Sequence, residues 1–251
     1  MKYSNSLTIK EVPCGFNRIF AIGDIHGCHT ELKALLEYMK EKLSLSESDL
    51  VVFLGDYIDR GPDSKGVIDE LLQFRSDFPS TFFLKGNHEE MLLDYLGFDG
   101  CKGDLYLENG GVDTIASYQI NPLIPSREVL KEFTNEHISC FLELIDCVKV
   151  ADWLFVHAGI DPQKEMIDQT EVDLHWIRGE FIENTHPFNF TVVFGHTPQS
   201  EVLLDLPYKV GIDTGVVYGN SLSCLEVTTG ELYQVKARSK RVSKSSLRPW
   251  K

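Results

Sequence analysis

Five short apolar runs in this chain each stop, within a residue or two of a glycine, at side chains able to bind a metal ion. Residues 18–22 run into Gly23-Asp24-Ile25-His26-Gly27, and residues 50–54 into Gly55-Asp56-Tyr57-Ile58-Asp59-Arg60-Gly61. Residues 81–84 precede Lys85-Gly86-Asn87-His88-Glu89, residues 153–156 precede His157-Ala158-Gly159, and residues 191–194 precede Gly195-His196-Thr197-Pro198. Continuous runs of this length, rich in β-branched and aromatic residues, read as strands buried on both faces. Open α/β sheets place their sites at strand C-termini. Any fold of this chain must therefore bring five strand ends to one site.

Between the first three runs lie helical patterns. Residues 30–42 space Leu32, Leu35, Leu36 and Met39 for one buried face, with Leu43 just beyond, and residues 64–74 do the same with Val67, Ile68, Leu71 and Leu72. Strand alternating with helix predicts an α/β fold with a largely parallel sheet in the first half. Residues 97–150 break that rhythm with Gly97, Gly100, Gly103 and Gly110-Gly111, followed by helical patterns over 112–118, 126–133 and 136–145. They read as a mostly helical insertion beside the site. After Pro198, runs at 209–212, 221–227 and 232–235 alternate with glycine-bearing turns and predict closing antiparallel strands. Residues 1–235 are thus expected to form one catalytic domain, and residues 236–251, with seven basic and no acidic side chains, a mobile tail.

The chain has 251 residues, 43% hydrophobic and 25% charged, values of a soluble globular domain. A chain this long buries roughly three-quarters of its unfolded surface, so it needs no disulfide or structural metal to hold a core. Six cysteines without a C-x-x-C pair read as reduced thiols. No apolar stretch approaches the roughly 20 residues that span a bilayer, and residues 1–15 lack a signal-peptide core, so a cytoplasmic location and no membrane partner are expected. The formal charge is −14; without the tail, 17 basic residues face 38 acidic ones, a balance of −21. That field repels nucleic-acid backbones, and no nucleic-acid partner is expected.

The strand ends suggest chemistry. Asp24 and His26 stand two apart on a segment read as extended, so both side chains leave one face and can share an ion. Asp56 can bridge to a second ion completed by Asn87, His157 and His196. Carboxylate, amide oxygen and imidazole without thiolate suit two catalytic divalent ions, Mn first, with Fe and Zn as alternatives. Two ions about 3.5–4 Å apart can hold a hydroxide between them and clamp the attacking and leaving oxygens of an in-line displacement at phosphorus. His88, beside Asn87 on a segment read as an extended turn, is free to act as general acid, and Asp59 is placed to hydrogen-bond that imidazole. Arg60 and Arg178 offer planar forks to phosphate oxygens, with Asn87 as a further phosphate contact.

Taken singly, these residues have plainer readings. An Asp or Asn after a strand is most often a turn or helix cap. A lone histidine is most often a surface or satisfied core residue, the reading given to His29, His137, His175 and His186. Three glycine-bearing motifs in one order outweigh the plainer reading for the ligand set as a group. No G-x-x-x-x-G-K-[ST], no strand-following G-x-G-x-x-G and no G-x-S-x-G is present, so neither nucleotide-fuelled chemistry nor a serine hydrolase is indicated.

From about residue 18 to 235, these segments resemble the signatures of the phosphoprotein phosphatase family of calcineurin-like metallophosphoesterases. The likeness is greatest to small bacterial and phage serine/threonine protein phosphatases, which carry segments like Glu108-Asn109-Gly110-Gly111, Trp176-Ile177-Arg178 and Gly211-Ile212-Asp213-Thr214-Gly215. The resemblance implies a β-sandwich of two mixed sheets flanked by helices, in place of a largely parallel sheet. It implies Asp24, His26 and Asp56 on one metal, and Asp56, Asn87, His157 and His196 on the other. It also implies His88 with Asp59 as proton donor and orienter, Arg60 and Arg178 on the phosphate, and a phosphorylated protein or peptide as substrate. Symmetrical diadenosine tetraphosphate hydrolases are the alternative; Asp59, and Glu89 in place of their usual Asp, favour the protein phosphatases. A low-turnover, metal-bound regulatory binding module is the second alternative.

Overall fold

The computed structural model describes residues 7–98 and 100–250. Its strands are β1 (Ile9–Glu11), β2 (Ile19–Ile22), β3 (Leu50–Phe53), β4 (Thr81–Phe83), β5 (Cys147–Val150), β6 (Trp153–Val156), β7 (Thr191–Phe194), β8 (Leu203–Asp205), β9 (Lys209–Gly211), β10 (Ser221–Glu226), β11 (Glu231–Lys236) and β12 (Val242–Ser246). The α-helices are α1 (His29–Glu41), α2 (Ser64–Asp77), α3 (Asn87–Tyr95), α4 (Val112–Ser117), α5 (Ser126–Glu132), α6 (Asn135–Leu142), α7 (Glu171–Trp176) and α8 (Gly179–Ile182). Among the described residues, none of the helices is long and apolar enough to cross a membrane.

The strands form two six-stranded sheets, ordered β12-β11-β10-β2-β3-β4 and β1-β5-β6-β7-β9-β8. In the first, β2, β3 and β4 are parallel and β10, β11 and β12 antiparallel; in the second, β6, β7 and β9 are parallel, β8 is antiparallel to β9, and β5 is antiparallel to β6 and parallel to β1. The sheets are therefore mixed, as the family resemblance implies: the first-half strands β2, β3 and β4 are parallel, as strand–helix alternation predicts, and antiparallel strands from the second half close each sheet.

Side-chain alternation makes this a four-layer sandwich. Ile19, Ala21, Leu50 and Val52 pack between the sheets with Val148, Phe155, Val193 and Val210. Their neighbours Phe20, Ile22, Val51 and Phe53 turn outward onto the apolar stripes of α1 and α2 and onto α3 to α6. On the far side, Leu154, Val156, Val192 and Phe194 meet Leu174 of α7 and Phe181 of α8. Strands covered on both faces must be apolar throughout, which is why the five runs are continuous.

Two expectations about boundaries change. Residues 147–150 belong to the sandwich as β5 and not to the helical insertion, since four residues beside a polar turn give no distinct run. The basic tail, expected to be mobile, instead completes β11 and forms the edge strand β12, with Lys244 paired to Glu231 at 2.9 Å and Trp250 stacked on Trp153 at 5.8 Å. Alternating Lys and Ser suits an edge strand that must stay soluble.

Candidate metal centre

The loops after β2, β3, β4, β6, β7 and β9 meet at the C-terminal ends of the parallel strands. His26, Asp56, Asp59, Arg60 and His196 all have positive φ, from 45° to 73°. Non-glycine residues seldom hold that conformation, and its concentration here marks turns bent to aim side chains inward. Asp24 and His26 are therefore not on an extended segment as read; the left-handed turn at His26, not strand alternation, aims its ring. Asn87 and His88 likewise stand at the start of α3 rather than on an extended turn. Glycines permit the close approach: a Cβ at Gly86 would collide with the Asp56 carboxylate, and one at Gly195 with that of Asp24.

The six expected ligands converge. His157 Nδ1 lies 2.8 Å from the Leu54 carbonyl and so carries its proton there, leaving a bare Nε2 that faces Asn87 Oδ1 at 3.1 Å and Asp56 Oδ1 at 3.4 Å. His196 Nδ1 lies 2.9 Å from the same Asn87 oxygen, and its Nε2 is buried with no hydrogen-bond partner among the described residues. His26 Nδ1 faces the Ile58 carbonyl at 2.8 Å, and its Nε2 stands 3.5 Å from Asp56 Oδ2. Asp24 accepts the His196 amide at 3.0 Å. Asp56, His157 and His196 make one group able to hold an ion, and His26 and Asp56 share another with His88.

Such a gathering of acceptors lacks protons to reconcile them. Burial pushes the His157 imidazole down to about 3 and lowers those of His26 and His196 as well, so none is a cation. Burial raises Asp24 well above the usual carboxylate range, with Asp213 and Asp56 adding to it, and pushes Glu89 up to about 8. Neutral imidazoles facing crowded carboxylates are the donor set that divalent cations satisfy. The residues present therefore fit divalent metal.

His88 Nδ1 and Asp59 Oδ2 lie 2.6 Å apart, both fully buried. Thr114 of α4 donates to Asp59 Oδ1 at 2.6 Å and accepts the Asp59 amide at 2.8 Å. Burial lowers His88 to about 4 and raises Asp59 well above its ordinary value. Arg60 Nη1 donates to His26 Nε2 at 2.8 Å, the same lone pair a metal would take, so the two uses exclude one another. Arg178 is near enough to His88, His157 and His196 to lower their basicity. It also lines a cavity of about 630 Å³ beside the centre, walled by Trp176, Ile177, Val172, Asp161, Asp173 and Glu180.

Sequence reasoning gave no site role to four residues that the structure draws in. Asp213 is buried beside Asp24 and pushed up to about 6 by burial and Asp56; the glycine-bearing end of the 209–212 run carried that signal. Glu89 accepts the amides of Asp56, Tyr57 and Gly86 at 2.8–3.0 Å, binding the β3 loop to α3. Thr114 and His175, the latter read as an ordinary histidine, gave no signal, because their carboxylate partners are 29 to 85 residues away in sequence.

A buried imidazole–carboxylate–amide cluster at the strand ends of a two-sheet sandwich defines a metal-dependent phosphoester hydrolase. A family model of calcineurin-like phosphoesterases matches residues 17–222, and the chain belongs to that family. It is 30% identical to the asymmetrical bis(5'-nucleosyl)-tetraphosphatase PrpE of Oceanobacillus iheyensis, over 88% of this chain and 93% of that protein. It is 28% identical to serine/threonine-protein phosphatase 1 of Salmonella typhimurium, over 84% and 93%. The cold-active protein-tyrosine phosphatase of a psychrophilic Shewanella superposes with a TM-score of 0.61 at 19% identity, over 96% and 83%, a likeness of fold.

Proposed function

We propose that this enzyme is a dinuclear phosphomonoesterase acting on phosphorylated serine or threonine side chains of proteins. The observation that carries the reading is the buried His88–Asp59 pair. A serine alkoxide is a poor leaving group and needs a proton as it departs, whereas a nucleotide phosphate leaves as a stable anion. An acid held by a buried carboxylate, itself fixed by Thr114, is machinery for the first case.

Asp24, His26, Asp56, Asn87, His157 and His196 would hold the two ions, with Mn the expected metal. Bound there, the pair supplies Lewis-acid activation of water and of the phosphoryl group. Arg60 and Arg178 orient the phosphate through their planar forks, with Asn87 close by. His88, its Nδ1 toward Asp59, presents Nε2 to the leaving oxygen. The two groups titrate as one unit: when the Nε2 proton passes to the alkoxide, the proton shared with Asp59 settles on Nδ1.

The identity to PrpE favours a second reading, hydrolysis of dinucleoside tetraphosphates. One panel separates the two. In manganese, kcat/KM for phosphoserine and phosphothreonine peptides should exceed that for diadenosine tetraphosphate. Faster cleavage of the tetraphosphate overturns the protein-phosphatase reading, and the products, two ADP or ATP with AMP, then give the cleavage position.

A further inference from the structure

We infer that His175 is a positioning residue for phosphate binding, locking the end of α7 to the elements that carry the metal centre and so holding Arg178 over it. The inference rests on the reading of Arg178 as a phosphate contact.

The Arg178 guanidinium makes no hydrogen bond or ion pair among the described residues, so its placement comes from the backbone that delivers it, whose carbonyl accepts the Phe181 and Ile182 amides at the start of α8. That backbone is anchored immediately upstream. The ring of His175 is fully buried, with Nδ1 3.2 Å from Glu90 Oε2 and Nε2 3.0 Å from Asp146 Oδ1. An imidazole that donates from both nitrogens is a cation. Here it spans two carboxylates from separate elements. Glu90 lies on α3, one turn beyond Asn87, and takes two further donors, Trp176 Nε1 at 2.7 Å and Lys102 Nζ at 2.9 Å. The Lys102 ammonium also lies 4.1 Å from the centroid of the Trp176 ring. Asp146 directly precedes β5 and has Lys85 Nζ at 3.8 Å.

A backbone bond closes the bracket, since the Ala158 amide, next to His157, donates to the Leu174 carbonyl at 2.8 Å. The end of α7 is thus fastened to the helix bearing Asn87 and His88 and to the loop bearing His157. Ile177 then leaves the helix in extended conformation and Arg178 follows. With so few residues between clamp and guanidinium, rigidity at His175 passes to Arg178. Burial alone would lower the basicity of His175, but Asp146 and Glu90 reverse it and raise its pKa, in keeping with a cation between two anions.

The test is steady-state kinetics of the manganese-loaded enzyme with p-nitrophenyl phosphate, with inorganic phosphate as competitive inhibitor. His175→Phe should raise KM and the phosphate inhibition constant about five- to twentyfold while kcat stays within about twofold; His175→Gln should raise them less. In an Arg178→Ala background, His175→Phe should add nothing. An unchanged KM in His175→Phe beside a raised KM in Arg178→Ala overturns the positioning role, as does an equal effect of His175→Phe in both backgrounds. An unchanged KM in Arg178→Ala is a different failure, that of the phosphate-contact reading. Should His175→Phe not fold, Trp176→Phe removes the indole donor to Glu90 and keeps an aromatic ring under Lys102. It should raise KM in the wild-type background and not in Arg178→Ala, and an unchanged KM counts against the clamp.

Discussion

The Asp59 carboxylate lies 2.6 Å from the His88 imidazole with neither side chain open to solvent. Burial raises Asp59 and lowers His88 to about 4, so the proton that arms the pair depends on the carboxyl group. A group with a raised pKa holds its proton below that value and loses it as pH rises through it. Asp59→Asn should therefore move the alkaline limb of kcat to lower pH. It should cut kcat about 100-fold or more on a phosphoserine peptide and far less on an aryl phosphate, whose phenolate leaves with little protonation. Full pH–rate profiles with both substrates check this; an unmoved alkaline limb with both would remove the pair from proton donation.

Thr114→Val tests the support behind that pair. The substitution keeps the shape and removes the hydroxyl that donates to Asp59 Oδ1 and accepts its amide. The Asp59 amide keeps Ser64 Oγ at 3.1 Å, but leaving the buried Asp59 Oδ1 without this donor should cost about 1–3 kcal/mol of stability. It should also lower kcat on phosphoserine peptide more than on aryl phosphate. Urea unfolding together with kcat on both substrates distinguishes the two effects, since a structural role alone would lower stability and leave the substrate ratio unchanged.

The buried cluster around His175 gives a pH dependence of stability. His175 faces Glu90, Asp146 and, further off, Lys102, Lys85 and His157. Its raised pKa contributes stability that is complete below the unfolded value of about 6.5 and is lost as pH rises through the folded value. Burial of Glu90 is outweighed by His175 and Lys102, which hold it down to about 2; Asp146 is lowered too. Their contribution is present above about pH 4.5 and is lost as pH falls toward 2. The cluster should stabilise most between roughly pH 4.5 and 6.5. His175→Gln should lower stability there by about 3 kcal/mol and less at pH 9, as read from urea midpoints across that range. Equal losses at pH 6 and pH 9 would contradict a charged imidazole.

The parts of this molecule that sequence reveals are those where one segment carries its own signal. The runs at 153–156 and 191–194 coincide with β6 and β7, and α1 and α2 start within one residue of the apolar pattern. The candidate metal ligands were visible because each lies within two residues of a glycine at the end of such a run. Strands β1, β5, β8 and β12 were not: they are three to five residues long, and their identity comes from a neighbour rather than from their own composition. The same holds for function. His88 and Asp59 could be paired by motif, whereas Thr114 and the His175–Glu90 contact exist only once chain-distant elements pack.

Asp56 faces His26 through one carboxylate oxygen, at 3.5 Å, and His157 through the other, at 3.4 Å, and so belongs to both groups able to hold an ion. The most direct measurement is metal content against activity, in chelator-stripped protein titrated with manganese, for wild type and Asp56→Asn. Wild type should bind two equivalents with activity rising in step. Asp56→Asn should lose affinity at both positions and at least 100-fold in activity, because a charge is withdrawn from each set of ligands. Two full equivalents and undiminished turnover in Asp56→Asn, or full activity in stripped wild type, would contradict a bridged two-metal centre.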